Sequence, residues 1–184
     1  MIYLYFSLII ILIIILFIII NKITIKKNNI ENAYSSMDIM LKKRYDLIPN
    51  LVKIVKAHVK HEQDTFKTIT ELREKGLKSK NDEDKFNINN DLNNEINSIF
   101  VLSENYPELK SNINFIQLQT ILNDIEDQIS AARRTYNAHV TDYNIFIKII
   151  PINIISFILR YQKYPLYKAK EEEKELNNWM KENE

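Results

Sequence analysis

One glycine and four prolines among 184 residues leave this chain few places to turn. Glycine supplies the backbone freedom of tight turns, and proline punctuates helices. A chain so poor in both is expected to fold as long helices joined by few loops. Its isoleucines recur mainly at spacings of three and four outside the N-terminal region, so strands are not expected. The length suits one ordinary domain.

Residues 2–20, IYLYFSLIIILIIILFIII, are apolar apart from Ser7. At ~1.5 Å per residue they match the ~30 Å hydrocarbon core of a bilayer. A buried core helix is disfavoured, because a globular core does not need a helix so apolar on every face. A cleaved signal peptide is disfavoured, because no basic residue precedes the run and no small-x-small site follows it. The segment is therefore read as a membrane anchor, residues 1–21. Lys22, Lys26 and Lys27 follow before the first acid, Glu31. The positive-inside bias puts that side in the cytoplasm and the N-terminus outside the cell membrane, in a single pass.

Beyond the anchor, apolar stripes predict three helices. The first runs from about residue 28 to 75, carrying Met37, Leu41, Ile48, Leu51, Val52, Val55, Val59, Phe66 and Ile69 on one side. Gly76 and the polar stretch after it are expected to form a loop. A second helix fits Ile88, Leu92, Ile96, Ile99 and Leu102, and NYPELKSN interrupts it. A third fits Phe115, Leu118, Leu122, Ile125, Ile129, Ala132, Tyr136, Val140, Tyr143 and Ile147, ended by Pro151. One-sided stripes of this length need each other, so an all-α, elongated, antiparallel up-and-down bundle is expected over residues 22–165. They also permit coiled-coil-like packing between chains, and hence a homo-oligomer. Residues 166–184 read as a charged tail.

Several function classes are disfavoured. A formal net charge of +1 does not supply the basic field of a nucleic-acid binder. Zero cysteines exclude thiolate and Cys-zinc chemistry. One glycine cannot make a phosphate-cradling loop, and no catalytic motif occurs. His58, His61 and Glu62 have metal-compatible helical spacing. A di-iron bundle needs a second Glu-x-x-His, however, and Tyr136 stands where that Glu would precede His139. No metal, cofactor or catalytic residue is expected. Lys42, Lys43 and Arg44 lie about twenty residues past the anchor, too far to touch its lipid if the helix is continuous.

Pro49 sits inside the first apolar stripe. It removes the amide that would bond the Tyr45 carbonyl, so a neighbour is expected to donate there. Tyr136-Asn137 recurs as Tyr143-Asn144 seven residues on, nearly the same helical face. The expectation is a polar layer between the first and third helices. Arg133 or Arg134 would meet Asp46, beside Arg44, and an asparagine would bond the Tyr45 carbonyl. Such a layer fixes register.

Three blocks carry a resemblance: NAYSSMDIMLKKRYDLIPNLV (32–52), NYPELKSNINFIQLQ (105–119) and ARRTYNAHVTDYN (132–144). In order and separation they resemble the signature blocks of the LemA family, whose members also begin with a membrane helix. The Tyr-Asn pair common after that helix is missing from ITIKKNNIEN. The resemblance implies a bacterial membrane protein with a helical bundle and no established catalytic residue. Some members are linked with internal membrane structures, and some are encoded beside membrane metallopeptidases. The expected role is a non-enzymatic scaffold that self-associates or organises membrane components. The alternative is an adaptor for a membrane peptidase.

The segment IIPINIISFIL (149–159) is too short to span a bilayer. It is expected either to cap the bundle or to present an apolar patch to a partner. If three helices run up, down and up, the patch ends far from the anchoring bilayer.

Overall fold

A computed structural model describes residues 2–59 and 63–167. Among them lie six helices and no strand: α1 (Ile2–His58), α2 (Gln63–Lys78), α3 (Asp82–Ser103), α4 (Pro107–Lys110), α5 (Ile113–Phe146) and α6 (Ile152–Ile158). The fold is an all-α helical bundle with one long apolar helix at the N-terminal end. His61, Glu62 and residues 168–184 lie outside the described residues.

Local signals explain the helix starts. Asn81 caps α3, its Oδ1 accepting from the Glu83 amide at 3.1 Å. Asp82, Glu83 and Asp84 then place negative charge at the positive end of the helix dipole. Pro107 opens α4 at the position where a missing amide costs least. Asn112 Oδ1 accepts from the amides of Asn114 at 3.0 Å and Phe115 at 3.2 Å, so it caps α5.

The expected first helix needs correction. Pro49 does not interrupt α1, which continues to His58. The single stripe expected to 75 is instead two helices, because α2 folds back along α1. Folded back, Phe66 and Ile69 are buried beside a buried Val55 and Val59 instead of lengthening an isolated stripe. The Lys56 ammonium lies 5.5 Å from the Phe66 ring centroid. Gly76 is inside α2, not in a loop, and α3 starts at Asp82 within the expected loop.

The described residues divide into two compact units: 2–36 with 132–166, and 37–59 and 63–131 with Tyr167. In the first, Tyr34 and Tyr136 rings lie 6.2 Å apart, and Lys26 pairs with Asp142. Here α5 is antiparallel to α1, and Ile19, Ile23, Ile30, Tyr136, Val140, Tyr143 and Ile147 form the core. Residues 2–18 of α1 stay exposed.

In the second unit α1 is flanked by three helices. Lys56–Phe66 and Tyr45–Arg73 contacts make α2 antiparallel to it. Asp38–Lys85 and Arg44–Asn89 contacts make α3 parallel. Arg44–Glu126 and His58–Asn112 contacts make α5 antiparallel. The reversal between α1 and α2 adds one helix to the expected three. That changes the direction in which α5 runs, and with it the position of residues 149–159.

Candidate functional site

The Tyr45 carbonyl freed by Pro49 does have a donor. It is not the expected asparagine but Arg73 of α2, whose Nε–H donates to it at 2.8 Å. The reason is the fold-back, which brings α2 alongside Pro49. Three residues on, Gly76 is buried against the Tyr45 ring: a Cβ there would lie 2.5 Å from Tyr45 Cζ and Oη. Burial pushes the Tyr45 hydroxyl up to about 12. That hydroxyl has no hydrogen-bond partner among the described residues. Pro49 and Asp46 are exposed.

Arg44 is 1% exposed and anchors the polar layer of this unit. Its Nη2 pairs with the Glu126 carboxylate of α5, and its Nη1 donates to Asn89 Oδ1 of α3 at 2.8 Å. Asn89 Nδ2 donates to Tyr167 Oη at 3.2 Å, and that hydroxyl donates to Asn90 Oδ1 at 2.9 Å. Burial pulls the Arg44 guanidinium down to about 10, so it is still charged at neutral pH, with Glu126 as counter-ion. A second cluster involves Asp38, which accepts from Lys42 and Lys85, both at 2.8 Å. Burial alone would raise this carboxyl; the two lysines overcome it and hold it lowered.

This layer brings Arg44 together with Glu126, Asn89 and Tyr167, none of which the sequence reading singled out as its partners. Nothing in the spacing singles out Glu126 among the acids of its helix. Arg73 and Gly76 were missed as well, because they come near Pro49 and Tyr45 only through the fold-back of α2.

The Tyr-Asn repeat has a different task. In the first unit the Tyr143 hydroxyl donates to the Gln162 carbonyl at 3.1 Å, and that of Tyr136 to the Pro165 carbonyl at 3.0 Å. Asn144 Nδ2 donates to the Tyr164 carbonyl at 2.9 Å while the Tyr164 amide donates back to Asn144 Oδ1 at 3.0 Å. The Tyr143 and Tyr164 rings meet edge-on at 5.4 Å. The repeat straps residues 162–165 along α5. Arg133 and Asn137 are half-buried and Arg134 exposed, all in this unit. Of the membrane-flank lysines, Lys22 is exposed, Lys27 pairs with Glu31 at 3.7 Å, and Lys26 pairs with Asp142 and lies 5.0 Å from the Phe146 ring centroid.

The second unit also carries an open groove of about 550 Å³ between α1 and α5, lined by Asn50, Lys53, Ile54, His58, Asn112 and Gln117 among others. His58 Nε2 lies 3.4 Å from Asn112 Nδ2. The lining offers amides, one ammonium and apolar carbon, with no nucleophile paired to a base. Among the described residues no group of three or more His, Cys, Asp or Glu is placed to hold a metal.

Comparison with known proteins bears on this arrangement directly. The LemA family model matches residues 33–178, which includes the Pro49 node, Arg44 and the Tyr-Asn repeat. This chain belongs to the LemA family. Two magnetosome proteins of Paramagnetospirillum magneticum, MamQ 1 and MamQ 2, are each 22% identical to it over 162 residues, covering 74% of this chain. The chain spans 60% of the length of these curated relatives. In this LemA protein one helix among the described residues, α1, is long and apolar enough to cross a membrane, and it is a candidate membrane anchor.

Proposed function

We propose that this LemA protein is a non-enzymatic scaffold, anchored in the cell membrane by residues 2–20, that self-associates or organises membrane components. The observation that carries the reading is the division of labour within α1. Residues 2–18 expose apolar side chains on every face, while the same helix beyond them buries Ile23, Met37, Leu41 and Leu51. An all-round apolar helix suits lipid, and a one-sided stripe suits helix packing. Arg44, Asp38 and the Tyr-Asn repeat hold helices and a strap, which supports tethering and surface packing as the mechanism. That the similar MamQ proteins are magnetosome proteins by name supports a task in organising membrane structures. Lys22, Lys26 and Lys27 favour a cytoplasmic position for the bundle.

A second reading, adaptor for a membrane peptidase, is favoured by the open groove beside His58, whose volume of about 550 Å³ falls in the range of ligand-binding clefts. Crosslinking of the full-length protein in its native membranes, followed by gentle extraction and mass measurement, separates the two. A ladder of self-crosslinks at high mass is the scaffold's signature. A stoichiometric peptidase with little self-crosslinking replaces the scaffold by the adaptor.

A further inference from the structure

Three contacts in the first unit set the register between α1 and the end of α5. Tyr34 meets Tyr136, Lys26 pairs with Asp142, and Lys26 also lies over Phe146. As α5 advances, its partners in α1 recede toward the apolar run. Lys26 lies six residues past Ile20, which is ~9 Å along a helix. Residues 147–152 therefore arrive at the level of Ile23 and Ile19, where α1 changes from buried to fully exposed apolar surface. The strap at 162–165 then descends beside Tyr143 and Tyr136. So α6 is the turning point of this unit, at the boundary of the apolar run. This reverses the expectation that residues 149–159 end far from the anchoring bilayer.

At that level the chain exposes Ile149, Ile150, Ile154, Phe157, Ile158 and Leu159, with Phe157 86% and Ile150 82% exposed. Only Ile152 and Ser156 of α6 are buried. Lys148, Arg160 and Lys163 are exposed around it, no acid occurs between Tyr143 and Tyr167, and the nearby Asp142 is paired with Lys26. Arg160 also holds a left-handed backbone conformation, φ 55°, at the end of α6. The amides of Arg160 and Tyr161 close the helix by bonding the carbonyls of Phe157 and Ser156 at 3.2 and 2.9 Å. Glycine adopts that conformation with less strain, so the sequence places a cation where the backbone does not favour one.

We propose that residues 149–159 form an interfacial foot. They insert at the headgroup–acyl boundary of the leaflet from which α1 emerges, and Lys148, Arg160 and Lys163 face anionic headgroups. The occupant is lipid, because the patch continues the exposed apolar surface of α1 and its rim matches an anionic membrane. A second copy of the chain is a poor occupant: a twofold contact lays this patch on itself and brings one cation-bearing rim against the other. The foot rests on the reading of α1 as an anchor, and the test separates the two.

The chain has no cysteine, so single labels are clean. Ile154→Cys, Phe157→Cys and Ile158→Cys are spin-labelled in the full-length protein, in phosphatidylcholine vesicles with and without phosphatidylglycerol. Leu12→Cys reports the anchor and Asp127→Cys the aqueous phase. Collision with oxygen relative to a water-soluble nickel chelate reads depth. The foot predicts ratios at 154, 157 and 158 several-fold above that at 127, rising with phosphatidylglycerol. Ratios equal to that at 127, with Leu12→Cys deep in lipid, overturn the foot and leave the anchor. Shielding from both reagents means protein covers the patch and overturns the foot in favour of a second copy or a partner. An aqueous Leu12→Cys overturns both readings.

Discussion

Gly76 sits mid-helix, where glycine ordinarily costs about 1 kcal/mol relative to alanine. The Tyr45 ring explains why a side chain is excluded there. Gly76→Ala should therefore destabilise by roughly 1–3 kcal/mol despite the better propensity, through overpacking. Tyr45→Phe, which removes the unpartnered hydroxyl, should recover part of that loss in the double variant; thermal melts of the three proteins decide it. Arg73→Met leaves the Tyr45 carbonyl without its donor, at ~1–3 kcal/mol. In the Pro49→Ala background an amide returns to that carbonyl, so the same change should cost much less. Equal costs in both backgrounds, measured by denaturant midpoints, would refute the Pro49–Arg73 account. Asp38 sets a pH dependence. Its folded pKa lies below the ordinary 3.8, so its contribution is full above that value and is lost as the pH falls through the lowered folded value. Asp38→Asn should flatten the acid limb of a stability–pH curve and leave the neutral region with the same slope.

The helices show where sequence reasoning succeeds and where it stops. The stripe of α5 was legible: Phe115, Leu118, Leu122, Ile125, Ile129, Tyr136, Val140, Tyr143 and Ile147 are buried, and Ala132 is half-buried. The stripe over 37–69 was equally legible as a set of buried residues, Val52 alone being half-buried, yet not as two helices. Periodicity continues through the reversal after His58, and neither glycine nor proline marks it. Burial is local in pattern, whereas the choice between extending and folding back is decided by what the far end can pack against. The need for a donor at the Tyr45 carbonyl followed from proline chemistry alone. Its identity did not, because Arg73 comes near only once α2 has turned back. The strap over 162–165 was invisible for the same reason: it is held through backbone groups, which every sequence has. Asn144 is its most specific hold, donating and accepting at Tyr164. Asn144→Ala should raise amide exchange at Tyr164 by at least tenfold while α3 amides keep their rates. Unchanged exchange at Tyr164 would show that the tyrosines hold the strap alone.

At the scale of the whole molecule, membership of the LemA family and an all-α bundle with an apolar N-terminal helix are what sequence and structure share. The first unit has a property that bears on its synthesis. Its two halves are far apart in the chain: Lys26 and the Asp142 that pairs with it are separated by 116 residues. At bacterial rates of ~5–20 residues per second, the ribosome needs roughly 6–23 s to get from one to the other. During that time the apolar run is already made, and Ile23 and Ile30, buried in the finished protein, have nothing to cover them. A nascent chain stalled before residue 132 should therefore be held by chaperones or destroyed by membrane proteases, and one released after residue 166 should not. Pulse-labelled truncations at 131 and 167 would reveal the difference as lifetimes. The residues that cover Ile23 and Ile30 are thus made more than a hundred residues after them, so this unit closes late in synthesis.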